Sequence, residues 1–187
     1  MKTFTTISAA LGTQLPGIAF FVGMIPPDFK AWTLLASGGA MALFLRISLL
    51  EIQDRQFIER GSRRVAGAIA VAVLYGAFFQ FVTVTNPQDP SSNGHFQCGF
   101  GLSTFSLTPR GLDLLGDKSL GIDTKEDLLL AVGGFPGGQG NATMAWKRWT
   151  IILASSTLIT LFVTIYLLWA SGLAYFARTV GLKAIAE

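Results

Sequence analysis

Cysteine and histidine each occur once in the 187 residues, as Cys98 and His95. A lone cysteine excludes a disulfide within one chain. One thiol and one imidazole also cannot make an ordinary intrachain metal cluster. Charge is scarce: 13% of residues are charged, against about 25% in soluble proteins. No acidic residue lies at the centre of an apolar stretch. Proton and cation relays inside membranes rely on such groups, so a pump or proton-coupled transporter is not expected. Internal repeats, a dinucleotide fingerprint and a phosphate-binding loop are all missing. So are a nucleophile–base pair and paired catalytic carboxylates. These absences predict a non-enzymatic protein with no cofactor and no bound metal.

Apolar residues are what the chain has in quantity, at 51%. They gather in four stretches: Thr3–Ile25, Ala31–Leu50 (interrupted by Arg46), Val65–Thr85 and Trp149–Ala177. About 20 helical residues cross the hydrocarbon core of a bilayer, so each stretch is long enough. The first is read as a retained span rather than a signal peptide. Gln14 and Pro16 interrupt its apolar run, and no small-residue cleavage site precedes Pro26-Pro27. The expected fold class is an all-α integral membrane protein. Four transmembrane helices form a bundle, with a structured extracytoplasmic loop between helices 3 and 4. Three regions follow: residues 1–85 with spans one to three and a link at 46–64, residues 86–148 as the outer loop, and residues 149–187 as span four and a tail.

Sidedness follows from the basic residues. The link carries Arg46, Arg55, Arg60, Arg63 and Arg64, and the ends add Lys2, Arg178 and Lys183. The other side has Lys30 and the pair Lys147-Arg148. Short cytoplasmic loops hold the excess of Lys and Arg, which predicts that both termini and the link are cytoplasmic. The pI of 9.2 then reflects residues flanking membrane spans. Nucleic acid is not an expected direct partner. Trp32, Trp146, Trp149 and Trp169 are assigned to an aromatic belt at the span ends.

The outer loop has local signals of its own. Thr108-Pro109 reads as an N-cap with proline at the first helical position, and Gly116 as a stop. Asp123-Thr124-Lys125-Glu126 reads as a capping-box start before Leu128–Val132, with Gly133-Gly134 as the stop. Phe96, Cys98, Phe100 and Leu102 alternate as a short strand would. Gly133 to Gly140, with Pro136, reads as a tether or tight turn. The region looks too small for a core of its own, so packing on itself, on the membrane face or on a neighbouring subunit is expected.

Four constellations are candidates for function. Ala68, Ala72 and Gly76 place small residues four apart, which suits either an oligomer seam or packing within one bundle. Ser156, Thr160 and Thr164 are also four apart. They would either bond back to their own helix or line a wet passage. Gln14 and Gln80 need protein partners for their amides. Leu45 to Ile58 is amphipathic and includes the pair Glu51–Arg55, so Glu51, Arg55, Arg60, Arg63 and Arg64 make a candidate docking site for a partner. The partners expected are the lipid bilayer, further copies of this chain, and other membrane or cytoplasmic protein subunits. The function expected is an oligomeric anchor or sensor subunit of a larger membrane complex. The alternative is an oligomeric pore, channel or transport subunit.

Overall fold

In a computed structural model, the residues described are 38–40, 42, 57–85, 95–133 and 142–186. The first expected span, Gln14, Glu51 and Arg55 lie outside them. So do Gly134 to Gly140 of the expected tether, and most of the second span, of which residues 38–40 and 42 are helical. The protein is mostly helical. The described elements run α1 (Phe57–Val82), β1 (Thr83–Thr85), β2 (His95–Gln97), α2 (Pro109–Gly116), a 3-10 turn (Lys118–Leu120), α3 (Lys125–Ala131), α4 (Ala142–Ala145) and α5 (Arg148–Ala186).

Two helices are long and apolar enough to cross a membrane, over Glu59–Val82 and Arg148–Phe176. Within each, only 22% of the most apolar window is buried in the protein. Ile69, Val73, Leu74, Ile152 and Leu153 are all exposed. A core helix of a soluble domain would hide such side chains.

The α1 helix starts earlier and stops sooner than its apolar stretch predicts. Its first two turns take in Arg60, Arg63 and Arg64, because Glu59 and Arg63 pair across one turn at 2.5 Å. It ends at Val82 because the β-branched run Thr83–Thr85 leaves it to pair with β2. The α5 helix is 39 residues long, about 58 Å at 1.5 Å per residue. That is nearly twice the thickness of a hydrocarbon core.

The described chain divides into two compact units that share these two helices, the division falling after Tyr75 and before Thr160. In the first unit α1 and α5 pack antiparallel. Gly61 lies against Gly172 and Tyr175, Gly67 faces Leu168, and the rings of Tyr75 and Phe162 sit 6.0 Å apart. The buried residues of α1 are Gly61, Ala68, Tyr75, Phe79 and Val82, two seven-residue steps followed by steps of four and three. A seven-residue step returns to nearly the same side of a helix, whereas each four-residue step turns about 40° away. The seam therefore includes Ala68, which is 1% exposed. Ala72 is half-buried, and a Cβ at Gly76 would meet nothing within 4 Å.

The second unit, residues 76–159, joins the expected outer loop to the adjoining ends of α1 and α5. It has a core, contrary to the sequence expectation. Val84, Cys98, Leu107, Ile122, Leu128, Leu129, Val132, Ala142, Ala145 and Trp146 bury one another. The loop achieves this by recruiting β1, which continues directly from α1, and Ile151 on the first turn of α5. The sheet is one antiparallel pair, with Thr83 opposite Gln97, Val84 opposite Phe96 and Thr85 opposite His95.

Candidate functional site at the helix ends

Trp146 organises the second unit. It is fully buried, and its indole Nε1–H donates to the Gly101 carbonyl at 2.7 Å. The belt assignment for this residue is thus wrong: a tryptophan beside Lys147-Arg148 looks interfacial in sequence, yet its ring fills the cap core. Around it, Gly99 is pressed between Ser106, Thr150 and the indole. A Cβ there would lie 2.6 Å from Thr150 Oγ1 and 2.8 Å from Trp146 Cδ1. Gly101 takes a left-handed φ of 56°, which glycine adopts freely. These two glycines end the alternating run at Gln97, so the expected strand through Leu102 becomes a tight loop.

That loop is held by its polar atoms. Ser106 Oγ accepts the Phe100 amide at 2.9 Å and donates to Thr150 Oγ1 at 3.1 Å. Ser103 N–H donates to Phe100 O, and Ser106 N–H to Ser103 O. Lys147 ties down the far side, its amide donating to Ser106 O at 2.8 Å and its ammonium to Phe105 O at 2.9 Å. Leu107 and Trp146 form an isolated antiparallel bridge, so the loop is stapled to the start of α5.

The two short helices α2 and α3 form where the sequence places them. Thr108 caps α2, accepting the Gly111 amide at 3.1 Å, with Pro109 at the first helical position. The same hydroxyl donates to the Met144 carbonyl at 2.5 Å, which ties α2 to α4. Thr124 caps α3 in a full capping box whose reciprocal partner is Asp127. Thr124 Oγ1 and Thr124 N–H both donate to Asp127 Oδ2, at 2.6 and 3.0 Å. These bonds, the hydroxyl's first, hold the Asp127 carboxyl below its ordinary value. Ser119 does the same for Asp117 through its hydroxyl and its amide.

Lys125 makes a contact that no local sequence signal announces. It opens α3, yet its Nζ reaches the end of α1 and donates to three carbonyls: Gln80 at 2.5 Å, Thr83 at 2.8 Å and Phe81 at 3.1 Å. A helix C-terminus presents carbonyls without intrahelical partners and a partial negative charge. One ammonium with three donors answers both. Gln80, expected to bury its amide, is exposed and contributes its backbone oxygen instead. Nearby Cys98 is 1% exposed, and burial pushes its thiol up to about 12, with Lys125 pulling weakly the other way.

The remaining candidates separate. Ser156 and Thr164 donate to the carbonyls of Ile152 and Thr160, four residues back, at 2.9 and 2.7 Å. Ser156 and Thr160 lie on the exposed face of α5, along with Trp149, Ile152 and Leu153. Ser155, by contrast, turns inward and donates to Gln97 Oε1. On α1, Arg64 is engaged within the chain. Its guanidinium donates to Ser171 Oγ at 3.1 Å and lies 5.4 Å from the centre of the Tyr175 ring. Arg63 pairs with Glu59 and is exposed. Among the described residues no group of three or more His, Cys, Asp or Glu side chains could hold a metal ion.

The geometry defines a helical protein with two membrane-length helices and a small polar-stapled unit built on their ends. No family model, curated protein or solved structure matches the chain.

Proposed function

We propose that this chain is a four-span integral membrane protein that serves as an anchor or sensor subunit of a larger membrane complex. Both termini and the Arg-rich link face the cytoplasm, and the 86–148 region faces outward. The protein catalyses no reaction and assembles with further copies of itself. The observation that carries this reading is the Lys125 clamp. It fastens α3 to the last turn of a membrane-length helix through two carbonyls, Gln80 and Phe81, and to β1 through a third, Thr83. A force or ligand acting on that unit is thereby coupled to α1 rather than lost in a slack linker. The open side of Gly76, next to exposed Val73 and Leu74, offers a second helix a place to approach closely. At the other end of α1, Arg63 and its neighbour Arg60 present charge suited to a cytoplasmic partner.

The rival pore reading asks Ser156, Thr160 and Thr164 to line a passage. The Ser156 and Thr164 hydroxyl donors are already used on their own helix, which weighs against it.

Purification in mild detergent, followed by size analysis and mass spectrometry, tests the proposal. A homo-oligomer or a stoichiometric protein partner is expected. A chain that emerges alone and monomeric ends the reading.

A further inference from the structure

The loop 99–106 does not rise away from the helices but runs back along them. The Phe100 ring packs, tilted, with its centre 6.1 Å from that of Phe78, and a Cβ on Gly101 would sit 2.9 Å from the ring of Phe81. Phe78 lies four residues before the end of α1, about 6 Å down the helix axis. From Phe100 the aromatic chain continues to Phe105 at 5.7 Å, and from Phe105 to Trp149 at 6.5 Å. Phe105 and Trp149 are each 53% exposed. Trp149 shares its face of α5 with Ile152 and Leu153, at three and four residues on, and both are exposed as well. An irregular loop thus lays an aromatic side chain on the same uncovered apolar surface as the helix.

We propose that residues 99–106 form an interfacial wedge, seating Phe105 beside Trp149 at the boundary between lipid headgroups and acyl chains. The occupant of this surface is the bilayer. The inference rests on the membrane reading of α1 and α5 proposed above. Three observations argue for lipid. The exposed aromatic surface is continuous with the exposed apolar face of α5. Irregular backbone enters the acyl core only when its polar groups are satisfied; six of the eight carbonyls from Gly99 to Ser106 accept a bond, those of Gly99, Phe100, Gly101, Ser103, Phe105 and Ser106, which suits the headgroup boundary, where water still reaches the others. Arg148, exposed beside Trp149, stands where a cation meets lipid phosphate. Aromatic rings favour this depth because an amphipathic boundary suits them.

The test uses the full chain reconstituted in phosphatidylcholine–phosphatidylglycerol vesicles. Nitroxide labels are placed singly at T104C, F105C, L120C and I152C, and their collision rates with oxygen and with a water-soluble nickel chelate are compared. Cys98 is buried, and wild-type protein carried through the labelling reports whether it reacts. The expected oxygen-to-nickel ratio at F105C and T104C lies severalfold above that at L120C and below that at I152C. A ratio at F105C equal to that at L120C, with I152C still in lipid, overturns the wedge alone. Shielding of F105C from both reagents, which a covering protein surface would give, also overturns it. Nickel access at I152C would remove the membrane reading itself and the wedge with it.

Discussion

Gly61 and Gly172 lie back to back between α1 and α5: a Cβ built on Gly172 falls 3.2 Å from the Gly61 carbonyl oxygen and 2.7 Å from Val65 Cγ2. Two of these neighbours, Gly61 O and Val65 N, belong to helix backbone, so they give way only if the helices part. Gly172→Ala is expected to destabilise the helix pair by about 1–3 kcal/mol, the usual range for overpacking. Gly76→Ala meets no neighbour and should raise the midpoint slightly if it moves it at all, since alanine gains up to about 1 kcal/mol over glycine inside a helix. Thermal unfolding in detergent, followed by circular dichroism, compares the two variants. Equal midpoints would show that the seam is not as tight as described.

Lys125→Met keeps the side-chain stem but removes the two bonds to the end of α1 and the one to Thr83 of β1. Hydrogen bonds to charged groups are worth about 1.5–3 kcal/mol, and half-exposure of this lysine puts its effect at the lower end. Amide hydrogen exchange in β1, where Val84 N–H sits beside the clamp, is expected to speed up by roughly tenfold (about 1.4 kcal/mol). Amides in the Gly61–Tyr75 part of α1 should exchange as before. Unchanged exchange at β1 would mean that the ammonium does not hold this end.

The capping box gives a pH dependence with a definite sign. The Asp127 carboxyl titrates below its ordinary 3.8 because of Thr124. A folded value below the unfolded one means that its contribution is complete above about 3.8 and is lost as the pH falls through the lower, folded value. Exchange of the first α3 amides should therefore accelerate, beyond the intrinsic trend, only below the ordinary aspartate range. Asp127→Asn should flatten that pH response. Thr124→Ala should weaken the helix start by about 1 kcal/mol at neutral pH. A wild-type profile identical to that of Asp127→Asn would refute the box.

Cys98 offers a simple check on the outer core. With its thiol buried and held protonated up to about 12, it should resist maleimide at pH 7–8 in the folded protein and react fully after denaturation. Gly99→Ala, which drives a methyl group between Thr150 and Trp146, is expected to expose it. Rapid labelling of the native wild-type protein would contradict the core.

The sequence made the local starts of the outer unit readable, because their signals are complete within four or five residues. Thr108 with Pro109, and Thr124 with its acid three residues on, cap helices wherever the surrounding chain allows. The two membrane-length helices were equally plain from their lack of charge. Contacts that join distant residues were harder to read. Ala68, Ala72 and Gly76 read as one small-residue face; of the three only Ala68 is buried, and a tight approach of α1 to α5 lies at Gly61 and Gly172. On sequence alone Gly61 falls in a charged link, since its neighbours Arg60, Arg63 and Arg64 mask the helix that contains them. Trp146 reads as interfacial because indole suits both a boundary with lipid and a core that offers its N–H a carbonyl. No spacing rule ties Lys125 to Gln80, 45 residues away. The first apolar stretch, most of the second and the pair Glu51–Arg55 lie outside the described residues.

The bridge between Leu107 and Trp146 bears on the order of synthesis. The largest side chain of the outer core comes from its last few residues, directly before α5. A nascent chain that has emerged only as far as α3 still lacks its central ring and the Lys147 staple. Closure of this unit therefore waits for Trp146 and Lys147, which directly precede α5, so its folding and the emergence of that helix from the ribosome fall in the same interval.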